Sequence, residues 1–338
     1  MMKQLPVEEA NPVDVTIMNL NLAARDAIGN HILNLASVIG KKHNVSLMIQ
    51  DTSSIDAAIR QNYRLTKILP GNDHTFLSRL LKVLSHGSDI AIRKYDSRQI
   101  GDVLWANYPR FYDYMKIFKN RQRDVKGIFD YHGVTPPEMW DDPELKPVLK
   151  EGVDNITYGK YADLAIAHSD FTKNELERAC ERSVLKMGYV VNSERFADNG
   201  GIDIRKKYDL SDNKVLLYVG RMAGNKRVDV TIKALANVKR AFPDVRFLCV
   251  GSIEYPHNKE YVKLKEIVRR EGLDKNVIFT GAVPDEELPK YFNSADVYVT
   301  SSTHEGFCIP AVEAMACGKP VIGSACAALP EIIGDGGQ

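Results

Sequence analysis

Residues 215–250 read Val215-Leu-Leu-Tyr-Val-Gly-Arg-Met-Ala-Gly-Asn-Lys-Arg-Val-Asp-Val-Thr-Ile-Lys-Ala-Leu-Ala-Asn-Val-Lys-Arg-Ala-Phe-Pro-Asp-Val-Arg-Phe-Leu-Cys-Val250, and their pattern decides the fold. Two short apolar runs, Val215–Val219 and Arg246–Val250, flank a stretch in which Val228, Ile232, Leu235 and Val238 recur at helical spacing until Pro243 ends it. Three further runs follow: Val277-Ile-Phe-Thr280, Asp296-Val-Tyr-Val-Thr300 and Pro320-Val-Ile-Gly323. Strands alternating with helices at steps of roughly 20–30 residues make βαβ units and a parallel sheet. The runs are continuously apolar, as expected of strands covered on both faces.

Working outward, the first half follows the same logic. Asp14-Val-Thr-Ile-Met18 reads as a strand, followed by a polar loop carrying Gly29. A helix through Ile32, Leu33, Leu35 and Val38 and the strand Val45-Ser-Leu-Met-Ile49 come next. Later strands are expected at Val103-Leu-Trp-Ala106, Gly127-Ile-Phe-Asp130 and Leu164-Ala-Ile-Ala167. The fold class is therefore α/β, with two doubly wound parallel-sheet domains over residues 1–200 and 201–338. The join is placed in the polar, glycine-containing stretch near Asn199-Gly200-Gly201.

Composition agrees with two globular domains. The chain has 338 residues, 44% hydrophobic and 26% charged, with 45 Lys+Arg against 44 Asp+Glu. The resulting net charge of +1 argues against a nucleic-acid partner. No run approaches the roughly eighteen apolar residues of a membrane span. Met1-Met2-Lys3-Gln4-Leu5-Pro6, followed by Glu8 and Glu9, lacks a signal-peptide core, so a cytoplasmic location is expected. Locally the balance shifts: residues 60–126 hold 14 Lys/Arg and 6 Asp/Glu. Within them, Phe76, Leu77, Leu80, Leu81 and Leu84 lie beside Arg79 and Lys82, a pattern open to two readings. It suits a packed helix with solvated basic residues, or a helix lying peripherally on an anionic membrane surface. The five cysteines, Cys180, Cys249, Cys308, Cys317 and Cys326, have neither the number nor the spacing of a disulfide framework or metal knuckle, and read as small buried residues. Asp141-Asp142, within Trp-Asp-Asp-Pro, reads as a turn rather than a metal site.

The densest chemical signal is Thr303-His-Glu-Gly-Phe-Cys-Ile-Pro-Ala-Val-Glu-Ala-Met-Ala-Cys-Gly-Lys-Pro320. Pro310 suits the first turn of a helix and Gly318 its end. Glu305 then lies in the loop at the C-terminal end of a strand, and Glu313 on the helix that follows. Loops at that end of an open α/β sheet are where ligands bind. The main-chain N–H groups of Gly306, Phe307, Cys308 and Ile309 can hold an anion there, helped by the helix dipole.

These residues resemble a known family. Glu305 and Glu313, with Glu-Gly-Phe and Ala-Cys-Gly-Lys-Pro around them, are similar to the retaining glycosyltransferases of family 4, also called glycosyl transferases group 1. Two more motifs carry the resemblance: Tyr218-Val-Gly-Arg-Met-Ala-Gly-Asn-Lys-Arg227, and Val277-Ile-Phe-Thr-Gly-Ala-Val-Pro284 followed by Asp285-Glu286-Glu287-Leu288. It runs from about Val215 to Gly337 and is diffuse over the first 200 residues. The resemblance implies the GT-B fold, two Rossmann-like domains facing a cleft, and a hexose-type sugar moved from a nucleotide-sugar donor to the hydroxyl of a glycan, glycolipid or lipid-linked acceptor. It implies no cofactor and no metal.

Carried over residue by residue, the resemblance assigns Arg221 and Lys226, with Gly220, to the donor diphosphate. Glu305 would accept from sugar hydroxyls, Glu313 would hold the ribose, and Ala282 and Val283 would frame the base. Gly29 would approach the diphosphate, and His132, in Phe129-Asp-Tyr-His-Gly-Val-Thr-Pro-Pro137, would reach the donor sugar or the acceptor. Asp130 lies near it, and Ser169 and Thr172 fit either a position near the cleft or a helix cap. Charge considerations agree, because departure of a nucleoside diphosphate builds negative charge that Arg and Lys stabilise.

The sequence departs from the pattern in three places. Asp26-Ala27-Ile28-Gly29 replaces a double glycine, Cys308 replaces a common glycine, and Val190-Val-Asn-Ser-Glu-Arg-Phe196 replaces an Asn-Gly-Val-Asp turn. The resemblance also implies further elements beyond Glu331–Gly337, so a chain truncated at Gln338 is expected. UDP-glucose, UDP-N-acetylglucosamine and GDP-mannose are all compatible donors. A nucleotide-sugar epimerase, a glycogen-synthase-like polymerase and a non-catalytic nucleotide-sugar-binding protein remain the alternatives.

Overall fold

The computed structural model describes residues 11–22, 27–52, 55, 64–69, 92–94, 100–140, 142–189, 191, 193–196, 202–210, 212–253 and 258–337. In chain order the first elements are β1 (Asp14–Asn21), α1 (Ala27–Ile39), β2 (Asn44–Asp51), β3 (Arg64–Leu69), β4 (Ile92–Lys94), β5 (Val103–Tyr108), α2 (Met115–Lys119) and β6 (Lys126–Tyr131). Then come α3 (Lys146–Asp154), β7 (Leu164–Ala167), α4 (Asp170–Cys180), β8 (Leu185–Lys186), α5 (Ile202–Lys207), β9 (Val215–Val219), α6 (Val228–Ala241) and β10 (Arg246–Val250). The last are α7 (Asn258–Arg270), β11 (Val277–Gly281), α8 (Leu288–Ser294), β12 (Val297–Thr300), α9 (Ile309–Ala316), β13 (Val321–Gly323) and α10 (Leu329–Ile333).

The chain divides into two compact units, one of Met1–Tyr108, Tyr112–Asp130 and Tyr158–Ala165, the other of Pro109–Phe111, Tyr131–Thr157 and Ile166–Gln338. The join expected near Asn199-Gly200-Gly201 lies outside the described residues, as do the basic amphipathic stretch Thr75–Ser85 and Asp141. Asp142 does sit in a turn, its Oδ1 accepting from the Glu144 N–H at 3.0 Å.

The first sheet has eight strands in the order β4-β3-β2-β1-β5-β6-β7-β8. In the first unit, β1 pairs in parallel with β2 on one side and β5 on the other. Val15 and Ile17 of β1 and Leu47 and Ile49 of β2 point to one face, where Ile32, Leu35 and Ala36 of α1 cover them. Gly29, expected in the loop before this helix, instead lies in its first turn, because the helix begins at Ala27.

The second sheet lies wholly in the second unit, and its five strands run parallel in the order β11-β10-β9-β12-β13. Alternate residues of each strand serve opposite cores. Val215 and Leu217 of β9 and Leu248 and Val250 of β10 join Ile204, Tyr291, Phe292, Ala311, Ala314, Leu329 and Ile333 from α5, α8, α9 and α10. On the other face, Tyr218, Phe247 and Cys249 meet Val228, Ile232 and Leu235 of α6 and Leu264 and Val268 of α7. Helices on both faces explain why the inner strands β9 and β10 read as continuous apolar runs. Burial of each large aliphatic here contributes about 1.5–3 kcal/mol. Helix α6 has Asp229 in its first turn and Lys239 and Arg240 in its last, both favourable to the helix dipole.

Chain order and strand order together locate the ligand-binding end. From β9 the chain winds through β10 to β11, then crosses to the opposite side of β9 for β12 and β13. The reversal opens a crevice between the C-terminal ends of β9 and β12, the position where open α/β sheets bind ligands.

Candidate active site

The loops leaving β9 and β12 carry the groups at that crevice. After β9, Gly220–Ala223 leads into a single 3-10 turn, Gly224–Lys226, and Arg227 adopts a left-handed φ of 47° before α6 starts. After β12, Ser301–Cys308 leads into α9. The carbonyl of Asn225 accepts from the Thr303 N–H at 2.9 Å and from Thr303 Oγ1 at 3.2 Å, tying the loops together through main chain. Across the join, Lys226 Nζ donates to Glu305 Oε1 at 2.7 Å, and Ser302 Oγ donates to the same oxygen at 2.7 Å. Both members of the ion pair are largely buried, with side chains 17% and 12% exposed. Such a charge-assisted pair is stronger than a surface one, and losing either partner would strand the other. Arg221 is exposed, and its guanidinium makes no hydrogen bond or ion pair among the described residues.

Helix α9 opens without a side-chain cap. Pro310 stands in its first turn, and Cys308 occupies the N-cap with φ 74° and ψ 67°, a left-handed conformation that disfavours any residue with a Cβ. Burial, with Glu305 adding to it, pushes the Cys308 thiol well above the usual range, so it stays neutral. Among the described residues, the N–H groups of Gly306, Phe307, Cys308 and Ile309 donate to no protein acceptor. Four N–H groups at a helix start can receive an anion. The helix ends as its sequence indicates: Gly318 has φ 67°, the Lys319 N–H reaches the Ala314 carbonyl at 2.9 Å, and the Gly318 N–H reaches Met315 at 2.9 Å.

Glu313 stands half-buried on α9. Burial, opposed by Arg195 and reinforced by Asp285, pushes its carboxyl up to about 7. Ala282 and Val283 follow β11, Ala282 exposed and Val283 packed on the core. His304 is buried, and desolvation pulls it down to about 4, with Glu305 opposing and Lys226 adding to the fall. Its Nε2 has no hydrogen-bond partner among the described residues.

A second group of residues in the same unit meets the Glu305 loop. A Cβ on Gly306 would lie 2.0 Å from the His132 carbonyl oxygen, so the two backbones touch there. Ser169 does both things its sequence suggested. It caps α4 in a capping box with Thr172, and its Oγ donates to the Gly306 carbonyl at 2.7 Å. The Glu331 carboxylate accepts from the Asp170 and Phe171 N–H groups at 2.7 and 2.9 Å, placing negative charge at the start of α4. His132 is buried, its Nδ1 2.5 Å from the Tyr189 hydroxyl.

Of the sequence-derived candidates, Gly220, Arg221, Lys226, Ala282, Val283, Glu305, Gly306, Phe307, Cys308, Ile309 and Glu313 all belong to the second unit, on or beside its sheet's C-terminal end, and His132 belongs to the same unit. Gly29 and Asp130 belong to the first. Asp130 is fully buried, accepts from the Trp105 indole at 2.8 Å and lies 3.8 Å from His31 Nε2, which accounts for it structurally. Sequence reading missed Ser302, His304 and Tyr189. A hydroxyl just beyond a strand end next to Glu305 was a usable signal for Ser302, whereas nothing local marks Tyr189.

Two doubly wound parallel sheets, one with a Lys–Glu pair and a helix N-terminus at its switch point, make up the GT-B fold. Among solved structures, that of Anabaena HepE in complex with UDP and glucose superposes with TM-score 0.70 over 94% of this chain and 82% of its own, at 17% identity. Sucrose-phosphate synthase from Thermosynechococcus elongatus gives 0.66 over the same shares at 19% identity. Residues 202–338 match the family described as glycosyl transferases group 1. Mannosylfructose-phosphate synthase of Agrobacterium fabrum is 37% identical over 220 residues, 61% of this chain and 45% of that protein. The GDP-mannose-dependent alpha-(1-6)-phosphatidylinositol monomannoside mannosyltransferase of Mycolicibacterium smegmatis is 30% identical over 205 residues, 57% and 51% of the two chains. The chain thus spans about half the length of these curated relatives. Among the described residues, no helix is long and apolar enough to cross a membrane.

Proposed function

We propose that the protein is a retaining glycosyltransferase that moves a hexose-type sugar from a nucleotide-sugar to an acceptor hydroxyl. The observation that carries this reading is the buried Lys226–Glu305 pair, held by Ser302 at the switch point between β9 and β12. Lys226 and the unpaired Arg221 stabilise the charge that grows on the departing diphosphate, and the free N–H groups at the start of α9 add to it. Glu305, oriented by two donors on Oε1, offers its other oxygen to sugar hydroxyls. Glu313 receives the ribose hydroxyls, Ala282 and Val283 border the base, and His132 donates to the sugar or acceptor. The leaving phosphate takes the acceptor proton on the same face, so the protein's work is positioning and charge stabilisation. With two cationic side chains on the diphosphate, the reading assigns no metal to the site, and transfer should persist in EDTA.

GDP-mannose is the first donor to test, given the name of the M. smegmatis relative, with UDP-glucose and UDP-N-acetylglucosamine alongside. The true donor raises the melting temperature by mass action and releases its nucleoside diphosphate only when acceptor is present. Glu305→Gln and Lys226→Ala should each lower transfer about 100-fold or more. If both variants fold and transfer at the parental rate, the proposal is wrong.

A further inference from the structure

Tyr189 follows β8 and belongs to none of the motifs that define the site, yet three aromatic rings surround it. The His168 ring stacks on it at 3.9 Å and 21°, the His132 ring lies at 5.6 Å and 29°, and the Phe307 ring meets it edge-on at 4.9 Å and 65°. His132 and His168 are also stacked, 4.9 Å apart. Stacking restrains His132, but the polar contact determines its chemistry. The Tyr189 hydroxyl is 2.5 Å from His132 Nδ1. That is shorter than the usual 2.7–3.2 Å range of an N–H···O bond and belongs with those made by hydroxyl donors. A phenol is also a better donor than acceptor, while the bare nitrogen of a neutral imidazole is a good acceptor. With Tyr189 O–H as the donor and His132 Nδ1 as the acceptor, the ring proton of neutral His132 resides on Nε2. His168 is fixed the opposite way: its Nδ1 lies 2.7 Å from the Met187 carbonyl, which can only accept, so His168 carries its proton on Nδ1.

We propose that Tyr189 is a positioning residue that locks His132 as an Nε2–H donor toward the sugar-bearing ligand. The role toward ligand rests on the transferase reading above, whereas the tautomer does not. Tyr189 also buttresses Phe307, so one side chain supports both His132 and the loop carrying Glu305.

The test uses Tyr189→Phe, which keeps the ring and deletes only the donor. Nitrogen-15 NMR of the full chain labelled on histidine, assigned with His132→Gln, should show wild-type His132 protonated on Nε2 and Tyr189→Phe as a mixture of tautomers. Donor turnover should fall about five- to tenfold in kcat, while affinity for the nucleoside diphosphate alone stays within about twofold. Gln at 132 places an amide N–H where Nε2–H stood, so Tyr189→Phe should add no further loss in a His132→Gln background. An unchanged tautomer in Tyr189→Phe, or an equal loss in both backgrounds, overturns the proposal. Should the wild type turn over no nucleotide-sugar, the transferase reading fails while the NMR comparison still decides the tautomer.

Discussion

Replacing Glu313 by Gln tests the ribose assignment through pH. Burial, opposed by Arg195 and reinforced by Asp285, holds the Glu313 carboxyl at about 7 in the free protein. About one in eleven is then ionised at about pH 6 and about ten in eleven at about pH 8. A carboxylate accepts from both hydroxyls of a ribose, whereas a neutral acid gives one of its oxygens over to its proton. If Glu313 binds the ribose as its anion, affinity for GDP or UDP should rise roughly tenfold over that interval. Calorimetric titration across the range would carry a slope from the nucleotide's own phosphate, which the Glu313→Gln protein reports by itself. The ratio of wild-type to variant affinities isolates Glu313, and it should climb about tenfold from pH 6 to pH 8. A ratio flat within about twofold would refute the assignment. Folding stability provides an independent check. The folded carboxyl holds its proton more tightly than the unfolded one, whose value is about 4.5. Stability therefore carries no penalty below about pH 4.5, declines as pH rises to about 7, and is level above that. Relative to the Gln variant, the wild type should lose about 1–3 kcal/mol across that window.

Two further substitutions bear on the loops. Ser169→Ala removes the capping box of α4 and the bond to the Gly306 carbonyl, and should lower the free energy of unfolding by about 1–2 kcal/mol in a denaturant titration; an unchanged midpoint would show that neither bond matters. At position 308, where φ is 74°, Gly should be about 1–2 kcal/mol more stable than Ala, because both lack the thiol and only Ala keeps a Cβ in a left-handed conformation. Equal stability of the two variants would mean that the loop relaxes out of that conformation.

The legible part of the fold was the part whose strands are buried on both faces. β9 to β13 appear within about a residue or two of their expected bounds, and β9 and β10, at least, are apolar along nearly all their length because helices cover both their faces. β3, β4 and β8 went unread for the converse reason. Arg64-Leu-Thr-Lys-Ile-Leu69 mixes charge with apolar residues, and Ile92-Arg-Lys94 and Leu185-Lys186 are too short to show a period. At the candidate site, Lys226, Glu305 and Glu313 were singled out by motifs of the resemblance, each of which follows a readable strand. The bond from Ser169 to Gly306 joins residues 137 apart, and that from His132 to Tyr189 residues 57 apart. Pairings across such distances depend on where whole loops come to rest, which no local pattern encodes. The start of α1 was misjudged more simply: Ala27-Ile28-Gly29 can continue a helix as well as precede one, and here it continues it.

The contact of Gly306 with the His132 carbonyl has a consequence for how such a protein can change. The spacing between these loops is gauged by bare main chain, which offers no side chain to lengthen or trim. Mutation can alter the chemistry presented on either loop without altering the gap between them. The neighbouring positions can therefore vary while Gly306 itself stays closed to substitution. A single methyl group there would push the two loops apart before it changed any side chain on them.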